Sequence, residues 1–289
     1  MPKHIPNYDN QNQAIVGPEQ YTLERSYFNR VILSAGTSYR HELPGFESCL
    51  VVAYGTCDIE VNGEGLRQKF DGVGQRRELF TGKPDSVYVP LGTAAQISAA
   101  APNTEIYIAA GRARQVYPPF RIEPEEVDVV QYGSDETKTH RKIYHVLGKN
   151  QNGKVDKLLV SELFTVGAGG WSGFPPHKHH QDRSEAGGVI ETDHEEIYHF
   201  KFNPPHGFGA QFAYVDDQDY GPVYHLKDAS TVLLDKGYHP AVAAPGYEMY
   251  YFTILVGKSR RPLVQYFEPR HSYQLKTIPG IMDMVNKFK

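Results

Sequence analysis

The sequence lacks the features that mark secreted, disulfide-stapled and membrane-spanning proteins. Its 289 residues include two cysteines, Cys49 and Cys57, whose number and spacing form neither a disulfide framework nor a CxxC motif. We expect both to be free buried thiols in a reducing cytosol. The first ten residues, MPKHIPNYDN, hold no apolar signal-peptide core, and no apolar run approaches the roughly 20 residues of a membrane span. These absences predict a cytoplasmic protein without a membrane partner.

A charge bias toward one sign is also missing. The chain has 30 Lys and Arg residues against 34 Asp and Glu, for a formal net charge of -4. The basic residues are scattered, and no stripe of alternating basic and aromatic residues marks a nucleic-acid surface. We therefore expect no nucleic-acid partner and take a small molecule as the ligand.

Helical periodicity is rare, whereas short runs of β-branched and aromatic residues recur between Gly, Pro, Asn and Asp. The chain holds 27 Gly, 20 Pro, 20 Tyr and 14 Phe. This pattern is typical of an all-β barrel or sandwich. Asn62-Gly63 is a strong hairpin signal, the polar span 64–84 predicts loops, and the tail at 278–289 predicts the one helix.

The two halves of the chain contain similar sequence segments. Residues 87–94 (VYVPLGTA) parallel residues 232–239 (VLLDKGYH), and alignment on their glycines places Ala94 where His239 stands. The first half offers a single histidine, His41, near the position of an HxH pair. An internal repeat explains this asymmetry better than scattered histidines do. We infer a duplicated barrel in which only the second copy binds a metal.

The domain boundaries follow from this duplication and from the composition of the connecting stretches. We predict an N-terminal arm (1–20), a lobe without a metal site (21–115), a Pro-rich charged linker (116–140), a metal-binding lobe (141–270) and a tail (271–289). Long arms and bare edge strands are typical of oligomers, so we also expect a homo-oligomer.

The strongest chemical signal is the stretch 173–200, which contains His177-Lys178-His179. Residues at i and i+2 of a strand point to the same side of the sheet. Both imidazoles can therefore face a barrel interior while Lys178 faces water. With 13 histidines in the chain an HxH pair also arises by chance, as a surface pair in a polar loop. The pair alone is a weak signal.

A carboxylate and a third imidazole strengthen this signal. Glu196 opens an apparent strand after a polar insert, and His239 follows a Gly-Tyr turn. Glu195 is an alternative carboxylate, but strand alternation places Glu196 with Tyr198 and Phe200 on one face, and an aromatic pair suits an interior face. Three histidines and one glutamate are typical ligands of Zn²⁺ or Fe²⁺ and leave coordination positions open.

Further motifs accompany these residues: WSGFPPHKH (171–179), EEIY (195–198), NPP (203–205), GYHP (237–240), GYEMYY (246–251) and, in the first half, YVPLGT (88–93). Together they resemble the cupins, and specifically the 5-deoxy-glucuronate isomerase family of myo-inositol breakdown. The resemblance implies an all-β fold of two double-stranded β-helix (jelly-roll) barrels, a bicupin. It implies the metal ligands His177, His179, Glu196 and His239. It also implies a divalent metal, with zinc first and manganese, iron or nickel as alternatives.

The resemblance also implies a reaction and a sugar-acid substrate. The family converts 5-deoxy-D-glucuronate to 5-dehydro-2-deoxy-D-gluconate, in which a proton moves from C2 to C1 through an ene-diolate. Tyr198 and Tyr251 are candidate catalytic groups, since a hydroxyl near a metal could have a lowered pKa; core packing is the ordinary role of each ring. Arg183 and Lys236 are the nearest cations in sequence for the substrate carboxylate, and each also suits a solvated surface.

Three alternative functions stay open at this point. The chain could isomerise a different deoxy-uronate, such as one from pectin breakdown, which a substrate panel would separate. It could be an iron-dependent cupin dioxygenase, which oxygen uptake with Fe²⁺ would favour. It could be a non-catalytic sugar-binding bicupin, in which replacement of His177 would leave ligand binding intact.

Overall fold

The computed structural model describes residues 2–216, 218 and 220–288. These residues form two compact units. The first unit contains residues 9–128 and 144–160, and the second contains the described parts of 1–8, 129–143 and 161–289. Met1 and Lys289, the ends of the predicted arm and tail, lie outside the described residues. Each unit is assembled from separate stretches of chain, and the boundaries predicted above stay predictions.

Nearly all regular structure in the described part of the chain is β-strand. In chain order the strands are β1 (Lys3–Ile5), β2 (Ala14–Val16), β3 (Ser26–Leu33), β4 (Ser38–Glu42), β5 (Phe46–Tyr54), β6 (Cys57–Gly63), β7 (Leu66–Val73), β8 (Asp85–Val89), β9 (Ala94–Ala99), β10 (Thr104–Arg112), β11 (Phe120–Ile122), β12 (Asp128–Tyr132), β13 (Arg141–Leu147), β14 (Leu158–Thr165), β15 (Gly170–Ser172), β16 (His177–Lys178), β17 (Arg183–Glu185), β18 (Gly188–Glu191), β19 (His194–Asn203), β20 (Phe208–Phe212), β21 (Val223–Lys227), β22 (Thr231–Leu234), β23 (Ala241–Ala243), β24 (Glu248–Gly257) and β25 (Tyr266–Phe267).

The helices are short. The 3-10 helices span Pro124–Glu126, Lys149–Gln151 and Ser272–Lys276, and one α-helix, α1, spans Ile281–Lys287. The predicted all-β class and the predicted helix in the tail are confirmed. Among the described residues, no helix combines the length and the apolar character that crossing a membrane requires.

The first unit consists of two antiparallel sheets whose inner faces pack together. Their strand orders are β11-β8-β5-β10-β3-β2 and β4-β9-β6-β7. Aliphatic side chains from both sheets, such as Leu50, Val61, Ile97 and Ile108, are fully buried in a single core. This core occupies the interior where a metal site would sit, and the histidine cluster found among the described residues lies in the second unit.

The prediction of loops over residues 64–84 is wrong for β7. This strand pairs with β6 from Gly63 opposite Leu66 onward. A hairpin therefore forms, but its turn lies at Glu64-Gly65, because the predicted turn residues Asn62-Gly63 belong to β6. β7 is the outermost strand of its sheet. Its charged side chains face water, and Arg67 pairs with Glu60 on β6 at 3.1 Å. A polar edge strand resembles a loop in composition because one face is solvated and charge protects the edge from further pairing.

His41 lies on β4 of the first unit and is buried there. Its Nε2 atom is 2.9 Å from Ser48 Oγ. Burial lowers the pKa of His41 from its ordinary value of 6.5 to about 4. The folded protein therefore keeps this imidazole neutral at a pH where the unfolded chain binds a proton.

Acid is expected to destabilise the first unit through His41. The free energy of unfolding should fall by about 1.4 kcal/mol per pH unit between pH 6.5 and pH 4, a total of about 3 kcal/mol, because only the unfolded chain takes up this proton in that window. Urea unfolding of wild type and His41→Asn at pH 7 and pH 4.5 measures the effect. An equal loss on acidification in both proteins would show that other groups carry the acid sensitivity.

The second unit is built around two long, buried strands. Its larger sheet has the order β1-β22-β19-β24-β14-β13-β12, and its smaller sheet the order β15-β23-β20-β21. β19 and β24 pair along their lengths, with Glu196 opposite Leu255 and Tyr198 opposite Thr253. Side chains two residues apart share a face, so these strands present a regular row of side chains to the interior.

Candidate metal centre

Three histidines converge in the interior of the second unit. A ring nitrogen from each of His177, His179 and His239 lies within 4.8 Å of the others, and all three residues are buried. The ring of His239 lies 5.0 Å, centroid to centroid, from each of the other two rings. Strand alternation turns the first two imidazoles to one side, and the turn before β23 brings the third.

Glu196 completes the cluster. Its Oε2 atom lies 3.0 Å from Nε2 of His179 and 3.2 Å from Nε2 of His239. Glu196 is buried on β19 and lines the same cavity as Tyr198, whereas Glu195 does not line that cavity. The structure therefore brings together all four residues predicted as ligands.

The orientation of the imidazoles leaves their inner nitrogens available. The Nδ1 atoms of His177, His179 and His239 lie 3.2, 3.2 and 2.9 Å from the backbone carbonyls of Pro175, His194 and Gly237. An N–H donor at Nδ1 leaves Nε2 with a free lone pair, the arrangement typical of metal-binding histidines. Nε2 of His239 is buried and makes no hydrogen bond. The donor set fits a divalent metal ion.

The charge states of the cluster also suit a cation. Burial lowers the pKa of His177 to about 3, so this imidazole is neutral at pH 7. Burial alone would raise the pKa of Glu196, but the neighbouring imidazoles of His179 and His239 outweigh it and hold this pKa near 2. Neutral imidazole and ionised carboxylate are the forms that bind metals.

A small cavity of about 30 Å³ lies on the open side of the cluster. Its polar wall includes three of the four predicted ligands, three tyrosines and Gln265, and its apolar wall includes Leu163, Phe174, Leu255, and Met284 of α1. Nε2 of Gln265 lies 2.9 Å from Nε2 of His177. Gln265 was not predicted, because it lies in an irregular segment far along the chain and carries no motif. The cavity is the place where a substrate oxygen could approach the cluster.

Tyr198 and Tyr251 both line this cavity, and their ring centroids lie 4.5 Å apart. The Tyr251 hydroxyl contacts the Ser172 hydroxyl. Burial raises the pKa of both phenols, and for Tyr198 the carboxylate of Glu196 raises it further. Both hydroxyls therefore keep their protons in the metal-free site. The lowering predicted for a hydroxyl beside a bound metal stays a prediction.

Neither cation predicted for the substrate carboxylate lines the cavity. Arg183 lies on β17, where its guanidinium is 3.3 Å from the Glu191 carboxylate and 4.6 Å from the Tyr266 ring centroid. Lys236 is exposed on the turn before His239. The charge of Arg183 is paired with Glu191 and that of Lys236 is solvated, and a role of either residue at the substrate carboxylate stays a prediction.

The prediction that Lys178 faces water is also wrong. Its side chain is 2% exposed, and its ammonium contacts the carboxylate of Asp216. The ammonium also lies 5.3 Å from the ring centroids of Tyr238 and Tyr266, and the Tyr238 hydroxyl donates to Asp216 at 2.8 Å. Tyr238 directly precedes His239, and Tyr266 lies on β25, the partner of β16. These four residues, the Lys178 cage, join the segments that carry the three histidines.

Replacement of Lys178 by methionine is expected to weaken zinc binding by about 10- to 100-fold, the usual effect of removing an outer partner of metal ligands. The methionine keeps the length of the side chain but leaves Asp216 without its cation. Lys201→Met is the matched control. Lys201 lies on β19, the strand of Glu196, and forms a 2.6 Å ion pair with Asp228. Competition with a chelator of known affinity measures zinc binding. Equal affinities in both variants would contradict a positioning role for the cage.

A model of the KduI/IolB family matches residues 3–274 of the chain. A curated 5-deoxy-glucuronate isomerase from Geobacillus kaustophilus (strain HTA426) is 35% identical over 261 residues, which cover 90% of this chain and 89% of that protein. The 5-deoxy-glucuronate isomerase of Bacillus subtilis (strain 168) is 29% identical over 250 residues, 86% of this chain and 87% of its own length.

Solved structures show the same architecture. The crystal structure of an IolB-like protein from Salmonella typhimurium LT2 superimposes with a TM-score of 0.81 at 30% identity, covering 90% of this chain and 94% of the other. A mutant of Bacillus subtilis oxalate decarboxylase has a TM-score of 0.58 at 10% identity, over 92% of this chain and 78% of its own. This second likeness concerns the fold alone, and the two together confirm the predicted bicupin class.

Proposed function

The chain belongs to the KduI/IolB family, and we propose that it is a metal-dependent isomerase converting 5-deoxy-D-glucuronate to 5-dehydro-2-deoxy-D-gluconate in myo-inositol catabolism. The names of its curated relatives support an isomerase of this kind. The single structural observation that carries the proposal is the buried cluster of three imidazoles and one carboxylate, beside a small cavity.

The reaction is an internal proton transfer and needs no external oxidant or reductant. The proton on C2 leaves, C1 and C2 become an ene-diolate, and a proton returns to C1 while the C2 oxygen becomes a carbonyl. His177, His179, His239 and Glu196 would hold the metal, which when bound supplies Lewis acidity toward the two substrate oxygens. We propose zinc, with manganese, iron or nickel as alternatives, since imidazole and carboxylate suit all four.

The remaining residues of the cavity would orient and protect the substrate. Tyr198 keeps its proton because burial raises its pKa, so it can donate a hydrogen bond to an oxygen that gains negative charge. Leu163, Phe174 and Leu255 would exclude water from the reacting carbons. This assigns Tyr198 as a donor and leaves proton abstraction from C2 to another group in the cavity.

Two further proposals concern the assembly and the cellular location of the protein. We propose a homo-oligomer, supported by β21, which ends its sheet and carries Val223 with 55% of its surface exposed. Light scattering tests this, and a monomeric mass would contradict it. The buried free thiols of Cys49 and Cys57 support a location in the reducing cytoplasm.

Elemental analysis and a substrate panel test the proposed function. We expect one equivalent of a divalent metal in the purified protein, isomerisation of 5-deoxy-D-glucuronate followed by NMR, and loss of turnover on chelation that zinc restores. If the protein isomerises another deoxy-uronate from the panel and not this one, the proposed reaction type stands and the proposed substrate is wrong. Oxygen uptake with Fe²⁺ and no isomerisation would replace the proposal by a dioxygenase. Sugar binding without turnover would leave a binding protein.

A further inference from the structure

Arg141 is a fully buried cation inside the second unit. It lies on β13, and its exposed fraction is 0%. Its Nε atom donates to the carbonyl of Phe164 at 2.9 Å. Its other two nitrogens, Nη1 and Nη2, are buried, and the Tyr251 hydroxyl is the polar group that the guanidinium acts on. A guanidinium carries five donors in a planar fork, and here the two groups that bind an oxyanion side by side are paired with no carboxylate among the described residues.

Arg141 lies directly behind the wall of the metal-site cavity. Its Cζ atom is 5.2 Å from the ring centroid of Tyr251, and that ring lines the cavity. The positive charge of Arg141 also acts on Tyr132 and Tyr198, which line the cavity as well. No lysine or arginine is among the described residues that line the cavity itself. The Tyr251 ring therefore lies between the cavity and a buried cation.

The size of the cavity requires its wall to move when a sugar acid enters. A volume of about 30 Å³ matches the space of one water molecule. Small-molecule sites usually measure about 300–1,000 Å³. An isolated buried charge is costly unless an opposite charge pairs with it. Movement of Tyr251 would connect the cavity to the Arg141 guanidinium, which pairs with no carboxylate among the described residues. Opening of the cavity on this side is favoured because the carboxylate of the substrate would then pair with the buried positive charge.

We propose that Arg141 binds the carboxylate of the sugar-acid substrate through Nη1 and Nη2 once Tyr251 turns out of the wall. This rests on the proposed function and deepens it, because it makes the site specific for acids over neutral sugars. In this proposal Arg141, which is close to the cavity, binds the substrate carboxylate in place of Arg183 and Lys236. A planar fork also matches a carboxylate better than the ammonium of a lysine does.

Ligand binding without turnover tests the proposal first. The chain has one tryptophan, Trp171, whose ring is 5.4 Å from that of Phe174 in the cavity wall, so its fluorescence can report binding. D-glucuronate and its neutral amide, D-glucuronamide, are titrated into zinc-loaded wild type, Arg141→Met and Arg141→Lys. We expect wild type to prefer the acid and Arg141→Met to bind the acid about 100-fold more weakly, the amide being little affected.

The controls separate recognition from folding. Arg67→Met, which removes an arginine that is 77% exposed in the first unit, should behave as wild type. Arg141→Lys keeps the charge and should keep a weakened preference for the acid; it decides the question if Arg141→Met shows no cooperative thermal unfolding. Absence of a preference for the acid in wild type, or the same preference in Arg141→Met, would overturn the proposal.

Kinetics distinguishes this proposal from the proposed function. With 5-deoxy-D-glucuronate, Arg141→Met should raise KM by about 100-fold with a smaller change in kcat, because the lost contact is present in the bound substrate as well as in the transition state. With 5-deoxy-D-glucose, which has a hydroxymethyl group in place of the carboxylate, kcat/KM should stay within about threefold. Equal losses on both sugars would identify Arg141 as a merely structural residue. A wild type that binds the acid through Arg141 but isomerises nothing would refute the proposed function alone.

Discussion

Replacement of His179 by alanine is expected to remove the metal and to lower isomerase turnover on the order of 1,000-fold. His179 contributes one of three convergent ring nitrogens, and its Nε2 atom is 3.0 Å from the Glu196 carboxylate. A metal bound at this cluster would lower the free energy of the charged transition state by several kcal/mol, and each 1.4 kcal/mol corresponds to a factor of ten in rate. Elemental analysis and the NMR assay on the same preparation measure both losses.

His206→Ala is the control for this experiment. His206 is exposed and contacts Tyr247, with ring centroids 5.5 Å apart, so its loss should change neither metal content nor turnover. Intact turnover in a metal-free His179→Ala protein would mean that the histidine cluster is not the catalytic centre. Metal retained with turnover lost would show that the other two histidines and Glu196 suffice to hold the ion but not to position it.

Replacement of Glu47 by alanine is expected to lower the free energy of unfolding of the first unit by about 4 kcal/mol or more, since each buried donor left unpaired costs about 1–3 kcal/mol. Glu47 is fully buried on β5. Its carboxylate accepts hydrogen bonds from the backbone N–H groups of Asp156, Lys157 and Leu158 at 2.9, 2.6 and 2.9 Å. It also accepts one from the Tyr88 hydroxyl at 2.7 Å.

Urea unfolding of Glu47→Ala and of Glu42→Ala measures this contribution. Glu42 is the matched control, because its side chain is 56% exposed and pairs only with Arg40 at the surface. Surface ion pairs contribute about 0–1 kcal/mol, so the control should stay close to wild type. A loss below about 1 kcal/mol in Glu47→Ala would show that water replaces the carboxylate and satisfies the donors it leaves.

Local periodicity accounts for the features of the site that could be predicted. His177 and His179 converge because residues two apart in an extended chain share a side, and the same rule separated Glu196 from Glu195. Gly237 marked the turn that precedes His239. The all-β class followed from short apolar runs between turn residues in the same way. Each of these signals spans a few neighbouring residues, so a single sequence contains it in full.

Periodicity determines which way a side chain points but not what covers it. Lys178 does point away from its neighbouring imidazoles, as alternation requires, yet Asp216, Tyr238 and Tyr266 arrive from distant segments and bury it. The opposite happens at β7, whose polar residues look like a loop and form an edge strand. In both cases tertiary pairing decides the environment.

The sequence by itself determined the β-sheet class, the family, and the four side chains of the histidine–glutamate cluster, because strand alternation and short motifs are local. Only the tertiary structure decided which cation stands behind the cavity, that Gln265 reaches His177, and that the tyrosine hydroxyls keep their protons. Arg183 and Arg141 are equally basic in the sequence. Arg183 is partly exposed and pairs with the buried Glu191, whereas Arg141 is fully buried beside Tyr251 and pairs with no carboxylate among the described residues, because long-range packing sets burial and pairing.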